Sequence, residues 1–347
     1  GAPVMFGGVG GAPVMFGGVA GAPVMFGGVG GAPVMFGGVG GAPVMFGSAG
    51  GCGCCRTELG PPPGTPEAPR TSTVRPADAP ADDTPSDGSC RVVVVDTGLA
   101  ADRFLPDISA AGVGTREEPD VDDDLVLDAA AGHATFIAAI VERLAPGAKV
   151  EVHQVLTSFG DGADSEVADV LWRLVDDPPH VLNLSFAGYS DGDVAPMAVR
   201  GALAALVAAG TVVVAAAGND ATCRPAWPAS CDDVVAVGAL GAAGPAWFTN
   251  HGPWVDACAP GVDVVSRFFR APDAPTAAEQ RDVDALGEVV DWASWSGTSF
   301  AAPVVAGVLA RRIVAGHSAA SARRSVIDDP QLFRIPGLGT VVNERPW

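Results

Sequence analysis

Ser299 lies in Gly297-Thr298-Ser299-Phe300-Ala301-Ala302-Pro303, where a hydroxyl is followed by small and apolar residues that read as the first turn of a buried helix. There a serine sits beside unpaired backbone N–H groups and the positive end of the helix dipole, which favours developing negative charge. An ordinary helix cap has the same look, so the serine alone decides nothing. Three upstream residues change the balance: Asp96 after Val92-Val93-Val94-Val95, His133 in Gly132-His133-Ala134-Thr135-Phe136, and Asn219 ending Ala215-Ala216-Ala217-Gly218-Asn219. Singly, each has a plain explanation as a turn residue or a structural histidine. Together they supply a nucleophile, a base, an orienting carboxylate and an oxyanion donor, the set that acyl transfer needs. Asp96-Thr97-Gly98 also has the form used by aspartic proteases, but those need a second such carboxylate, and no other Asp-Thr-Gly or Asp-Ser-Gly occurs.

Apolar runs that alternate with polar turns from Cys90 onward must position these groups. Arg91 to Val95, Lys149 to Leu156, Val181 to Phe186, 211–217, Val234 to Leu240 and Val262 to Ser266 read as strands. Segments 133–143, 165–175, 194–209, 299–314 and 317–327 read as helices. Strands alternating with helices imply an α/β domain with a mostly parallel sheet covered on both faces. In such sheets functional residues gather at the carboxyl ends of strands, and Asp96, Ser185 and Asn219 all fall there. The uncharged stretch 201–218 is long enough to suggest a membrane span, but Gly210-Thr211 divides it into a helix-like half and a β-branched half.

The 347-residue chain divides into three parts. Residues 1–55 carry no charge and consist of five Gly-Ala-Pro-Val-Met-Phe-Gly-Gly-Val-Gly decamers, with variants at Ala20 and Ser48-Ala49, followed by Cys52, Cys54 and Cys55. Such Gly- and Pro-rich low complexity is expected to be disordered. Residues 56–89 form a linker rich in Pro and Asp, and 90–347 the folded domain. Net charge is −20, of which 56–89 contribute three Arg against six Asp and Glu, and Lys149 is the only lysine. That balance excludes nucleic-acid binding, which requires a basic face. Seven cysteines do not make a disulfide framework at this length, although Cys223 and Cys231 bracket a short loop and can pair. A pair would suit an oxidising, extracellular setting; free thiols and a cytoplasmic setting are the alternative, and no signal peptide is visible.

The chain order Asp, His, Asn, Ser is the order of the subtilisin type of triad. Residues from about 90 to 345 resemble the subtilisin-like serine proteases, the subtilase family. The resemblance rests on Val95-Asp96-Thr97-Gly98, Gly132-His133-Ala134-Thr135, Ala216-Ala217-Gly218-Asn219 and Gly297 to Pro303, in family order and approximate spacing. Leu184-Ser185-Phe186-Ala187-Gly188, Trp227-Pro228-Ala229, Phe248-Thr249-Asn250-His251-Gly252 and Ala259-Pro260-Gly261 are secondary matches. The His motif departs from the family: Ala134 stands for a glycine, Phe136 for a second histidine and Ala139 for a later glycine.

The resemblance implies a three-layer αβα fold and a serine endopeptidase with Asp96, His133 and Ser299 as its triad and Asn219 as oxyanion donor. It also implies that Ser185, Phe186 and Ala187 pair with substrate backbone, and that Ala216, Ala217 and Gly218 line a roomy apolar first pocket suited to Phe, Met or Leu. The repeats offer Met and Phe, so the extension is itself a candidate substrate. The chemistry needs no cofactor. Asp120-Val121-Asp122-Asp123-Asp124 can be a structural calcium loop or simply a solvated acidic loop, and its spacing does not match an EF-hand. A peptide substrate, a monomer and no membrane span complete the expectation. A peptide ligase or macrocyclase with the same triad, or an inactive repeat-bearing structural protein, are the other classes the sequence leaves open.

Overall fold

The computed structural model describes residues 90–101, 115–270, 276, 280 and 291–346, together with short strands in the N-terminal part. Four strands of the domain, β1 (Arg91–Asp96), β2 (Lys149–Gln154), β3 (Val181–Leu184) and β4 (Val212–Ala216), pair parallel in the order β4-β3-β1-β2. On the other side of β4 come β5 (Val235–Gly241) and β6 (Ala257–Pro260), also parallel. Two further strands, β7 (Val264–Arg267) and β8 (Trp292–Trp295), form an antiparallel hairpin beside this sheet. The short β9 (Arg334–Ile335) and β10 (Gly339–Val341) close the main sheet, β10 parallel to β6 and β9 antiparallel to β10.

Both faces of the sheet are covered, which explains why its strands are valine-rich rather than alternating. Successive side chains of a strand point to opposite faces. Val92 and Val94 accordingly enter one core with α1 (His133–Leu144) and α4 (Thr298–Val314). Val93 and Val95 enter a second core with α2 (Asp164–Val175) and α3 (Met197–Ala208). This is the expected three-layer arrangement. The 201–218 stretch resolves into the end of α3 and the whole of β4, and no helix among the described residues is long and apolar enough to cross a membrane.

Strands β6, β8, β9 and β10 are additions to the sequence reading. The hairpin β7–β8 lies in the long span between Asn219 and Ser299, and an acidic, Ala- and Pro-rich insert at about 270–290 falls between its strands. Arg270 pairs with Asp291 at 3.0 Å and Phe268 donates its N–H to Asp291 O at 2.8 Å across the base of that insert.

Val4–Gly7, Pro13–Phe16, Val24–Gly27 and Pro33–Phe36 form a four-stranded antiparallel sheet with Met5 opposite Met15, Met15 opposite Met25 and Met25 opposite Met35. Val and Phe favour strands, and Pro13 and Pro33 sit at strand starts, where a missing donor is tolerated. Cys52, Cys54 and Cys55 lie outside the described residues. Cys223 and Cys231 are not joined in a disulfide; Cys231 instead packs into the core under α2 and α3. The compartment argument that rested on their pairing therefore loses its support.

Candidate active site

Asp96 is the last residue of β1 and is fully buried. Its Oδ1 lies 2.7 Å from His133 Nδ1 and accepts the Thr97 backbone N–H at 2.8 Å. A carboxylate facing Nδ1 holds the proton there and leaves Nε2 as the acceptor. His133 opens α1 and is 3% exposed. Its imidazole meets the rings of Trp295 and Phe300 edge-on, each at 5.3 Å between centroids.

Gly132 makes this entry possible. It has φ 77°, and a Cβ there would lie 2.5 Å from a ring carbon of Phe268. Left-handed backbone and close approach both require glycine. The Gly132 N–H donates to Glu117 Oε2 at 2.9 Å. Glu117 is 4% exposed, and burial, reinforced by nearby Asp96, pushes its carboxyl well above the usual range.

Ser299 is the second residue of α4 and is 3% exposed. Pro303 lies four residues on and has no N–H for the Ser299 carbonyl. The Ser185 hydroxyl replaces it, donating to Ser299 O at 2.8 Å while accepting from Asn183 Nδ2 at 2.9 Å. The Ser185 side chain is thus committed to the Ser299 backbone. Phe186 packs into the α2–α3 core, Ala216 into the α1–α4 core and Ala217 beside Cys258 and Leu338, so what these three can offer a substrate is backbone. Ala187 is buried with them.

Asn219 follows β4 and remains partly exposed. Its Oδ1 accepts both the N–H and the hydroxyl of Thr298, each at 2.9 Å. Thr298 Oγ1 in turn accepts the Gly218 N–H at 3.1 Å. Nδ2 faces the serine turn, 3.6 Å from where a Cβ on Gly297 would stand, so the absent side chain leaves that amide uncovered. Gly218 has φ 100°, and a Cβ there would lie 2.4 Å from Asn250 Nδ2. The Asn250 amide donates to Ala217 O and Tyr189 Oη, both at 2.8 Å, and its Oδ1 accepts from Asp220 N at 3.0 Å and Thr222 N at 3.2 Å. One buried carboxamide therefore shapes the loop that carries another.

Sequence reasoning names Asn250 only within a motif and Thr298 only as part of the serine turn, and it misses Glu117 and Trp295. Thr298 is readable as the residue before Ser299; Glu117 has no sequence signal. Burial pushes the thiols of Cys90 and Cys258 up to about 12 and that of Cys231 to about 11, which keeps them protonated and unreactive. Asp120, Asp122 and Asp124 each bring one oxygen within 4.8 Å of the others. Both oxygens of Asp120 accept backbone N–H groups, from Asp124 and Leu125.

The sequence profile of the subtilase family matches residues 89–323. The chain belongs to the subtilase family. It is 31% identical over 258 residues to the thermophilic serine proteinase of Bacillus sp. strain AK1, covering 72% of this chain and 58% of that protein. It is 30% identical over 261 residues to thermitase of Thermoactinomyces vulgaris, covering 72% of this chain and 83% of thermitase. The chain thus spans little more than half the length of the first of these relatives. Among solved structures, a lanthipeptide protease superposes with a TM-score of 0.58 at 21% identity, covering 75% of this chain and 86% of that one. Phe136 packs on Phe300 at 4.8 Å, and Phe300 in turn meets the His133 ring, so an apolar wall lines the imidazole.

Proposed function

We propose that this subtilase is a serine endopeptidase that cleaves after apolar residues and accepts its own N-terminal repeats as substrate. Ser299 Oγ attacks the substrate carbonyl while His133 Nε2 takes the hydroxyl proton. His133 then passes that proton to the leaving amine, and water releases the acyl group by the reverse path. Asp96 fixes the tautomer and stabilises the imidazolium. The Asn219 Nδ2 donor and the Ser299 backbone N–H hold the oxyanion. The 2.7 Å contact between Asp96 Oδ1 and His133 Nδ1, inside a buried site at the head of α4, carries the reading. The uncharged backbone wall of Ala216 to Gly218 suits Phe, Met or Leu before the scissile bond, and Val-Met-Phe-Gly occurs in each decamer.

Fluorophosphonate labelling of wild type and Ser299→Ala, with intact mass spectrometry after incubation, tests this. Labelling of wild type alone, with fragments ending at Met or Phe and heavier in total by one water per cut, is the expected result. Unlabelled wild type overturns the reading, and fragments that have not gained water assign the acyl-enzyme to an amine acceptor instead.

A further inference from the structure

Arg70–Thr71 lies well before the first strand of the domain, yet it forms a strand on the domain. It pairs antiparallel with the outer edge of β8, Thr71 opposite Ala293 and Arg70 opposite Ser294, so that β8 becomes the middle strand of three. The other edge of β8 is taken by β7, with Val264 opposite Trp295 and Arg267 opposite Trp292. That hairpin is braced by its own contacts: the Arg267 guanidinium stacks 4.4 Å from the Trp292 ring centre, and Arg270 pairs with Asp291. The outer edge is therefore preformed, and the row of backbone groups on such an edge recruits another extended chain.

The polarity of the pairing gives it meaning. Stepping from Thr71 to Arg70 moves along β8 from Ala293 to Ser294, which is toward Ser299. Strand β8 runs through Ser296, Gly297 and Thr298 straight into the nucleophile, and Ser294 is at most about 17 Å of chain from Ser299. In its N-terminal direction the docked strand therefore leads to the reacting serine. A peptide held this way has its N-terminal part at the triad and its C-terminal part along β8, which is how the downstream half of a substrate would lie.

We propose that the outer edge of β8 is a docking site for the chain's own linker, and that docking at Arg70–Thr71 threads the N-terminal extension toward Ser299 for intramolecular cleavage. This rests on the peptidase reading given above. Two paired residues would hold a separate peptide only weakly. The tether to the domain raises the effective concentration of the strand to roughly millimolar, so that short pairing suffices in cis.

The experiment uses the full chain and a double variant, Arg70→Pro with Thr71→Pro, which removes both backbone donors from the docked strand without touching the triad or Asn219. Wild type is expected to shed its extension at a first-order rate independent of protein concentration. The double variant is expected to do so about tenfold more slowly, the loss of the tethered register. Its kcat/KM on a short chromogenic peptide should stay within about twofold of wild type, since the chemical step is unaltered. Amides of Trp292–Trp295 should exchange faster in the variant. Shedding that scales with protein concentration, or that the double variant leaves unchanged, overturns the docking site. Enzyme that labels and hydrolyses the short peptide yet keeps its extension overturns it as well. Failure of both labelling and short-peptide hydrolysis overturns instead the peptidase reading beneath it.

Discussion

At the scale of single residues, the groups gathered at the candidate site separate into those that announce themselves and those that burial creates. Asp96, His133, Asn219 and Ser299 each end or open a run of apolar or small residues, so their chemistry stands out against a bland background. Glu117 sits in Thr115-Arg116-Glu117-Glu118-Pro119, where nothing in the sequence distinguishes it from the exposed Glu118 beside it. Only the tertiary fold buries one and not the other. Asn219→Ala should lower kcat by about 100- to 1000-fold with little change in KM, because the lost donor acts mainly on the oxyanion; steady-state kinetics on a short peptide would show it. Glu117 predicts a pH effect of defined sign. Its folded-state pKa is raised, so the contribution of its neutral form is fully present below the unfolded value of 4.5 and is lost as pH rises through the folded value. Glu117→Gln, which stays neutral, should therefore gain in Tm over wild type as pH is raised from 4 toward alkaline values. The gain in stability should grow by roughly 1.4 kcal/mol for each pH unit crossed between the unfolded and folded values. A Tm difference that is flat with pH would mean the carboxyl does not remain protonated in the folded state.

At the scale of elements, the long pieces are legible in the sequence and the short ones are not. Strands β1 to β5 and helices α1 to α4 are carried by runs long enough to show their period. Strands β6 and β8 span four residues each, and Trp292-Ala293-Ser294-Trp295 reads equally well as loop. Their strand character comes from neighbours supplied by distant chain. The head of α4 shows a second kind of dependence. Pro303 deprives the Ser299 carbonyl of its helical partner, and Ser185 replaces that partner from the end of β3. Ser185→Ala should therefore destabilise the domain by about 1–3 kcal/mol, the cost of a buried acceptor left unpaired. Adding Pro303→Ala restores an N–H at the right turn of the helix and should recover part of that loss. A double-mutant cycle in urea checks this, and strictly additive effects would disconnect the two residues.

At the scale of the whole molecule, one sheet with two cores organises everything the site needs. Alternate valines of β1 reach both cores, and the strand's end places Asp96 between them. Since no disulfide joins the described cysteines, added reductant should leave the domain's melting temperature where it was. Loss of a native disulfide would instead cost about 2–5 kcal/mol and lower Tm by several degrees; differential scanning fluorimetry with and without reductant distinguishes the two. The parallel sheet also has a practical side. Lys149, the only lysine of the sequence, begins β2, and the pairing of Arg91 with Lys149 and of Asp96 with Gln154 sets it at the opposite end of the strands from Asp96. Its side chain is 48% exposed, and its ammonium gives up only a contact with Glu151 when acylated. Once the N-terminal amine is blocked or removed, an amine-reactive support would capture every molecule by the same point, with its cleft turned away from the solid surface.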